Sequence, residues 1–293
     1  MSDYYWDNQI EYLSQTRWLY YNDDYLAFLV EKVWKINRPI NIVDYGCGYG
    51  YLGLKLLPML PEGSTYTGID KGEELIRRAE QLFNGSPYQT TFIVGDIEDV
   101  GVQRKYDVAW CHAFLLHMTD PQEIVRKMIA SVKDSGKVIA FEPHWIGNMS
   151  NYRLEGAEQS DVIRLGLLQQ LFEADARRTG KDGNIGMKLP ILMSQLGLAD
   201  VECRISDRVN FLNPKMETAA RDKLYQSLRD EGIGQQPGDL QALIASLTAR
   251  GLKEEEAKEQ YEAELSFSQL FHEESWLTYA PNMKISFGTV RHV

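Results

Sequence analysis

An apolar, strand-like segment runs into a glycine-rich turn at residues 43–53, whose sequence is VDYGCGYGYLG. Gly46, Gly48 and Gly50 alternate there, and glycines let a backbone pass close to a ligand where a Cβ atom would collide. The spacing alone leaves the ligand open, because residues 48–53 also fit the G-x-G-x-x-G pattern of a dinucleotide site.

Acidic residues stand at the ends of three successive predicted strands. Asp44 precedes the first glycine, where its charge would repel a pyrophosphate and would favour a ligand that carries ammonium and sulfonium groups. Asp70 is placed to accept hydrogen bonds from both hydroxyls of a ribose. Asp96 can accept from an adenine amino group while Ile97 packs on the ring. Together these residues predict a site for a nucleoside with an amino-acid tail.

The elements that would position these residues alternate strands and helices, which is typical of a parallel sheet with crossover helices. We expect strands at 40–45, 65–70, 91–96, 106–111 and 137–142, and helices between them at 51–60, 73–83 and 120–132. Further helices are expected at 161–178, from Asn213-Pro214 onward, at 241–250 and at 253–271. A helix–strand unit at 189–206 and a strand-like end at 283–293 predict that the chain returns to the same sheet.

In order and spacing, residues 40–145 resemble the class I S-adenosylmethionine-dependent methyltransferases that act on small molecules. Residues 43–53 are similar to the first motif of that family, TGIDKGEELIRRAE to the second and GDIED to the third. Residues 106–143 are similar to the block from the fourth to the fifth strand. The resemblance implies a Rossmann-like α/β fold with a seven-stranded sheet whose last strand is antiparallel, filled here by 199–206 and 284–292. It also implies methyl transfer from S-adenosyl-L-methionine, with S-adenosyl-L-homocysteine as product and no metal.

Motif matches and strand-end positions give the candidate site residues. The predicted cofactor-binding residues are Asp44, Gly46, Cys47, Gly48, Gly50, Asp70, Lys71, Asp96, Ile97, Cys111 and His112. His117 is the candidate general base, and the candidate substrate residues are Tyr20, Tyr21, Glu142 and His144. Many relatives carry two histidines where this chain has Leu116-His117, so the role of that loop transfers only in part. Cys47 is expected to fill a crowded turn rather than act as a nucleophile.

The predicted organisation has one core and several excursions from it. A helical lid segment is expected at 1–38, the cofactor-binding core at 39–145, a cap insertion at 146–190, more core at 191–210, a helical insertion at 211–282 and the last strand at 283–293. Long excursions in a compact domain usually carry function, so we expect them to enclose a small-molecule acceptor together with the aromatic N-terminus. The alternative is that residues 213–280 thicken the core or form an oligomer interface.

Composition limits the remaining classes of function. The net charge of −11 disfavours nucleic acid, because phosphate binding depends largely on Lys and Arg. No run of 18 apolar residues exists, and the N-terminus does not resemble a secretory signal, so we expect a cytoplasmic protein without a membrane span. Three widely spaced cysteines argue against disulfides and against a Cys-type zinc site. A nicotinamide-dependent oxidoreductase and a non-catalytic or regulatory S-adenosylmethionine-binding protein stay open.

Overall fold

The computed structural model describes residues 4–101 and 103–292 of the chain. Its strands are β1 (Asn41–Tyr45), β2 (Thr65–Asp70), β3 (Gln89–Val94), β4 (Tyr106–His112), β5 (Val132–Pro143), β6 (Tyr152–Leu154), β7 (Ala199–Ile205), β8 (Asn210–Leu212), β9 (Leu277–Tyr279) and β10 (Met283–Thr289). Seven of them form one sheet in the order β3-β2-β1-β4-β5-β10-β7. The first five run parallel, and β10 is antiparallel to both of its neighbours. The predicted Rossmann-like seven-stranded sheet is confirmed.

Helices cover both faces of this sheet. They are α1 (Ile10–Thr16), α2 (Asp23–Phe28), α3 (Tyr51–Leu56), α4 (Glu73–Phe83), α5 (Pro121–Ser131), α6 (Trp145–Ser150), α7 (Gln159–Val162), α8 (Leu165–Thr179), α9 (Leu189–Gln195), α10 (Thr218–Asp230), α11 (Leu240–Ala249) and α12 (Glu254–Leu270). Alternate residues of β1 enter two separate cores, Ile42 on one face and Val43 on the other. Because both faces are buried, the central strands are nearly continuous runs of apolar residues. Of the described helices, none is both long and apolar enough to cross a membrane.

Three features of the chain differ from the predictions. The helix expected at 161–178 is interrupted at Ile163, which is buried and extended at φ −153° and ψ 135°. The helix expected from Asn213-Pro214 starts at Thr218, because the Glu217 carboxylate caps it by accepting the N–H of Ala220. A second sheet, β6-β9-β8, was not predicted. Its strands have three residues each, too short to show a two-residue hydrophobic period.

Residues 206–232 hold the N-terminal segment against the body of the protein. The Trp18 indole donates to Ser227 Oγ at 3.0 Å, and Asn210 Nδ2 donates to the carbonyl of Leu19 at 2.9 Å. The hydroxyl of Tyr20 donates to the buried carboxylate of Glu231. These contacts fix the backbone around residues 17–20, so the N-terminal segment forms one wall of the crevice at the carboxyl ends of the strands.

Candidate functional site

Two adjoining cavities lie at the carboxyl ends of β1, β2, β3 and β4. The first has an empty volume of about 650 Å³ and the second about 690 Å³. The first is lined by Tyr4, Trp6, Leu13, Arg17, Asp44, Gly46, Cys47, Gly48, Tyr49, Tyr51, Leu52, Asp70, Leu75, His112, Ala113, Phe114, His117 and Met118. The second is lined by Tyr4, Gly46, Asp70, Lys71, Gly95, Asp96, Ile97, Glu98, Phe114, His117, Met118, Thr119 and Lys181. The shared lining residues make the two cavities one crevice.

The glycine loop between β1 and α3 forms the floor of this crevice. Gly46, Gly48 and Gly50 all have φ in the left-handed region, at 68°, 54° and 82°. The amides of Gly46 and Cys47 both donate to the carbonyl of Ile69, at 2.9 and 3.0 Å. A Cβ atom at Gly46 would lie 2.1 Å from Cδ2 of Phe114, so this contact requires glycine.

Asp70, at the end of β2, ties the glycine loop to the next helix. Its Oδ2 accepts the N–H of Gly48 at 2.9 Å, and its Oδ1 accepts the N–H of Gly72, just before α4, at 2.8 Å. Burial raises the pKa of Asp70, and these two amide bonds act against that rise. Each carboxylate oxygen keeps a further lone pair, so the residue can cap the helix and still accept ligand hydroxyls.

Asp44 is buried at the end of β1 and lines the first cavity. Its Oδ2 accepts the hydroxyl of Tyr66 at 2.7 Å, while its Oδ1 makes no hydrogen bond of standard geometry with any described residue. Burial raises the pKa of Asp44 to about 7, and the Tyr66 hydroxyl and the Trp110 indole act in the opposite direction. A buried carboxylate oxygen without a donor is costly, and a cationic ligand group would remove that cost.

The predicted adenine-binding residues, Asp96 and Ile97, line the second cavity. The carboxylate of Asp96 is half-exposed, with Oδ1 accepting the N–H of Glu98 at 3.0 Å. The ammonium of Lys71 lies 3.9 Å from Asp96 Oδ2 and over the ring of Tyr4. The side chain of Ile97 is buried beside them. This cavity therefore offers an acceptor, a cation and an apolar surface at the end of β3.

The loop after β4 brings two imidazoles to the crevice. Nε2 of His112 lies 3.1 Å from the hydroxyl of Tyr21, and burial lowers the pKa of this histidine well below its usual value. The ring of His117 lies 4.9 Å from that of Trp6, and burial lowers its pKa to about 4. Both imidazoles are therefore neutral near pH 7. Tyr21 reaches the crevice only through His112.

Six of the predicted site residues do not line either cavity, and Tyr21 is one of them. Side chains alternate along β4, so Cys111 points away from His112, and its Sγ lies 3.7 Å from Oε1 of Glu142. Glu142 is itself turned toward the backbone after β4, and Tyr20 toward Glu231. The remaining two are Gly50, which packs against Phe83, and His144, whose N–H donates to the carbonyl of Asn282. The side chain of Cys111 does not line the crevice, so a cofactor contact at this residue would have to be made by its backbone. The substrate predictions for Tyr20, Glu142 and His144 do not match these positions.

The crevice also contains residues that the sequence did not single out. Arg17 is the main one, because it alone among the described residues of the first cavity carries a positive charge. It is also the only Lys or Arg among the first 31 residues, a signal that the sequence offered. Trp6, Tyr49, Tyr51 and Phe114 add aromatic surface. By contrast, no described residue of 211–282 lines either cavity, so the helical insertion supports the N-terminal wall from behind.

Comparison with known proteins shows similarity to methyltransferases. The family model described as "Methyltransferase domain" matches residues 36–175. These residues, just under half of the chain, are similar to a methyltransferase domain. The chain is also 34% identical over 122 residues to the ubiquinone biosynthesis O-methyltransferase of Vibrio campbellii, a match that covers 40% of this chain and 50% of that protein. A second such enzyme, from Citrobacter koseri, is 34% identical over 99 residues, which are 33% of this chain and 40% of the enzyme. The chain thus spans about half the length, or less, of these relatives.

Solved structures share the fold of this chain. The phosphoethanolamine N-methyltransferase 2 of Haemonchus contortus aligns with a TM-score of 0.52 at 11% identity, over 96% of this chain and 57% of that one. The YcgJ protein of Bacillus subtilis aligns with a TM-score of 0.51 at 13% identity, over 92% of this chain and 100% of the other. At these identities the likeness concerns the fold. Within the described residues, no group of three or more His, Cys, Asp or Glu is arranged to hold a metal ion.

We predict that Gly46→Ala destabilises the protein more than Gly85→Ala does. Both glycines have positive φ, but a Cβ at Gly85 meets no atom within 4 Å, whereas at Gly46 it overlaps the Phe114 ring. Gly85→Ala, the control, should lower the free energy of unfolding by about 1–2 kcal/mol through backbone strain, and Gly46→Ala should lower it by about 1–3 kcal/mol more. Urea denaturation followed by circular dichroism measures both. Equal midpoints would contradict the close packing of Phe114 on the loop.

Proposed function

We propose that this chain binds S-adenosyl-L-methionine in the crevice and transfers its methyl group to a small-molecule acceptor. The observation that carries the proposal is the line of acidic side chains, Asp44, Asp70 and Asp96, at three adjacent strand ends along one crevice. The family match supports it, since the V. campbellii relative is an O-methyltransferase and the solved H. contortus enzyme holds S-adenosyl-L-methionine. The acceptors of those proteins are not carried over to this chain.

The residues fit the parts of this cofactor in order along the crevice. Asp96 and Ile97 would hold the adenine in the second cavity, and Asp70 the ribose hydroxyls where the cavities meet. In the first cavity, Oδ1 of Asp44, which accepts no hydrogen bond of standard geometry from a described residue, would accept the ammonium of the amino-acid tail, and Arg17 would bind its carboxylate. A pyrophosphate would have to lie against Asp44 and Asp70, which disfavours a nicotinamide dinucleotide.

Bound S-adenosyl-L-methionine supplies an electrophilic methyl group. The protein's own contribution is to align the acceptor and exclude water, and alignment alone is worth about 7–11 kcal/mol of barrier. Trp6, Tyr51 and Met118 form the apolar part of the wall next to the tail site. His117, with a pKa of about 4, is a weak base and acts best as a neutral hydrogen-bonding group that orients the acceptor.

We further propose that the chain works in the cytoplasm, because its three cysteines are free thiols and a reducing compartment keeps them so. The net charge of −11 supports a small molecule rather than a nucleic acid as acceptor. The helical insertion, which does not line the crevice, is the candidate surface for self-association.

Calorimetry and an acceptor screen test the main proposal. The chain should bind S-adenosyl-L-methionine and S-adenosyl-L-homocysteine, and release of the latter should depend on one class among phenols, alcohols, amines, thiols and carboxylic acids. Tighter binding of NAD than of S-adenosyl-L-methionine would contradict the proposal. Cofactor binding without turnover on any acceptor class would favour the alternative of a non-catalytic binding protein.

Replacing Arg17 tests where the amino-acid tail lies. We expect Arg17→Met to weaken S-adenosyl-L-homocysteine binding about 10- to 100-fold, because a charge-assisted hydrogen bond is worth about 1.5–3 kcal/mol. The same variant should bind 5′-methylthioadenosine, which lacks the tail carboxylate, as well as the unchanged protein does. Arg208→Met is the matched control, since Arg208 stacks on Trp18 outside the crevice. An equal loss of affinity for both ligands would show that Arg17 does not act through the tail carboxylate.

Asp44 should make cofactor affinity depend on pH. Its pKa of about 7 means that the carboxylate becomes protonated as the pH falls through neutrality, and only the charged form pairs with the tail ammonium. Affinity for S-adenosyl-L-homocysteine should therefore fall by up to about tenfold per pH unit below about pH 7 and level off above about pH 8. Asp44→Asn should bind more weakly and lose this dependence. Glu142 and Glu231 have similarly raised pKa values but remain in the variant, so a dependence that survives belongs to them.

A further inference from the structure

Glu142 is a fully buried carboxylate whose partners are all backbone and thiol groups. It lies near the end of β5, next to the end of β4 in the sheet. Oε1 accepts the amides of Phe114 and Leu115 at 2.9 and 2.8 Å, and Oε2 accepts the amide of Leu116 at 3.3 Å. The Sγ of Cys111 lies 3.7 Å from Oε1. None of these described donors carries a charge.

Such a residue is costly to keep in a sheet core. Burial raises the pKa of Glu142 to about 7, although the three amides pull it down. An apolar side chain at this position would avoid the cost of desolvating a carboxylate. The three amides, however, would then be left at the start of a single 3₁₀ turn, Leu115–His117, whose first amides have no partner within that turn. The carboxylate is therefore matched to the loop after β4.

The same loop is bent at its entry and lines both cavities. Ala113 has a positive φ of 48°, which is rare for a residue with a side chain and has to be held by its surroundings. After that bend, Phe114 packs on Gly46, and His117 and Met118 face both cavities. The position of this wall relative to the glycine loop thus depends on what holds residues 114–116.

Building on the proposed function, we propose that Glu142 is a positioning residue for cofactor binding and methyl transfer. Its carboxylate holds the amides of residues 114–116, and through them it sets Phe114 and His117 against the glycine loop. It acts through the backbone of that loop, since it lines neither cavity.

The variant Glu142→Gln tests this with almost no change in shape. The amide oxygen of the new side chain can still accept from Phe114 and Leu115, but its NH₂ group would face the N–H of Leu116, and donor would meet donor. We expect hydrogen exchange at the Leu116 amide to speed up at least about tenfold, and S-adenosyl-L-homocysteine affinity to fall by about tenfold. Exchange in β1 and β4 should stay unchanged. Glu142→Asp, which retracts the carboxylate by one methylene group, should loosen all three amides.

Ser286→Ala is the matched control, because Ser286 is a fully buried polar residue of β10, the strand that pairs with β5. It should leave both the loop amides and the affinity as they are. Faster exchange at Leu116 with unchanged affinity in Glu142→Gln would overturn the positioning role, and so would unchanged exchange in both Glu142 variants. If the unchanged protein fails to bind S-adenosyl-L-homocysteine, the proposed function fails, and the exchange data still decide whether Glu142 holds the loop. Should Glu142→Gln not fold, the same two measurements on Glu142→Asp decide.

Discussion

The two backbone bonds accepted by the Asp70 carboxylate are the interactions on which the site depends. The glycine loop has left-handed backbone at three positions and therefore lacks a regular hydrogen-bond ladder of its own. Asp70 fixes the loop at Gly48 and fixes the start of α4 at Gly72. Because it is nearly buried, these bonds are shielded from water and stay directional. Phe114 then packs on this loop, and the cavities form on either side of the contact.

Two other buried carboxylates, near the ends of β1 and β5 on either side of β4, show how hydrogen bonding separates roles. Burial raises the pKa of both Asp44 and Glu142 to about 7. Three amides satisfy Glu142, whereas one oxygen of Asp44 has no partner of standard geometry among the described residues. Glu142 thus binds the protein's own backbone. Asp44 faces a cavity, and its Oδ1 accepts no hydrogen bond of standard geometry from a described residue, so it can accept one from a cationic ligand group.

The wall opposite the sheet comes from the N-terminal segment, and the helical insertion acts on it indirectly. Arg17 enters the first cavity from a short 3₁₀ turn, Arg17–Leu19. The contacts of Trp18 with Ser227 and of Asn210 with Leu19 hold that turn in place from the side away from the crevice. Substitutions in residues 206–232 would therefore move the backbone of the N-terminal segment and so change the wall of the crevice. The exposed face of the insertion makes none of these contacts.

The sequence by itself determined the sheet and its ligand-facing edge. Alternating strands and helices, a glycine loop and acids at strand ends depend on local spacing, and the carboxyl ends of parallel strands necessarily meet at one edge. Local patterns also placed Asp44, Asp70, Asp96 and Ile97 at the crevice. They did not show which of the adjacent residues Cys111 and His112 faces the crevice, because that depends on which elements cover the two faces of the sheet.

Only the tertiary structure decided which distant residues complete the site. Arg17 lies in a segment whose helical turns are too short to show a period, and it reaches the cavity because residues far along the chain hold that segment there. Glu142 looked like a substrate residue at a strand end, but its partners are backbone amides, which have no signature in the sequence. The break at Ile163 and the three-residue strands β6, β8 and β9 likewise follow from packing. Local spacing fixes which edge of the sheet binds; long-range contacts fix which side chains face the ligand there.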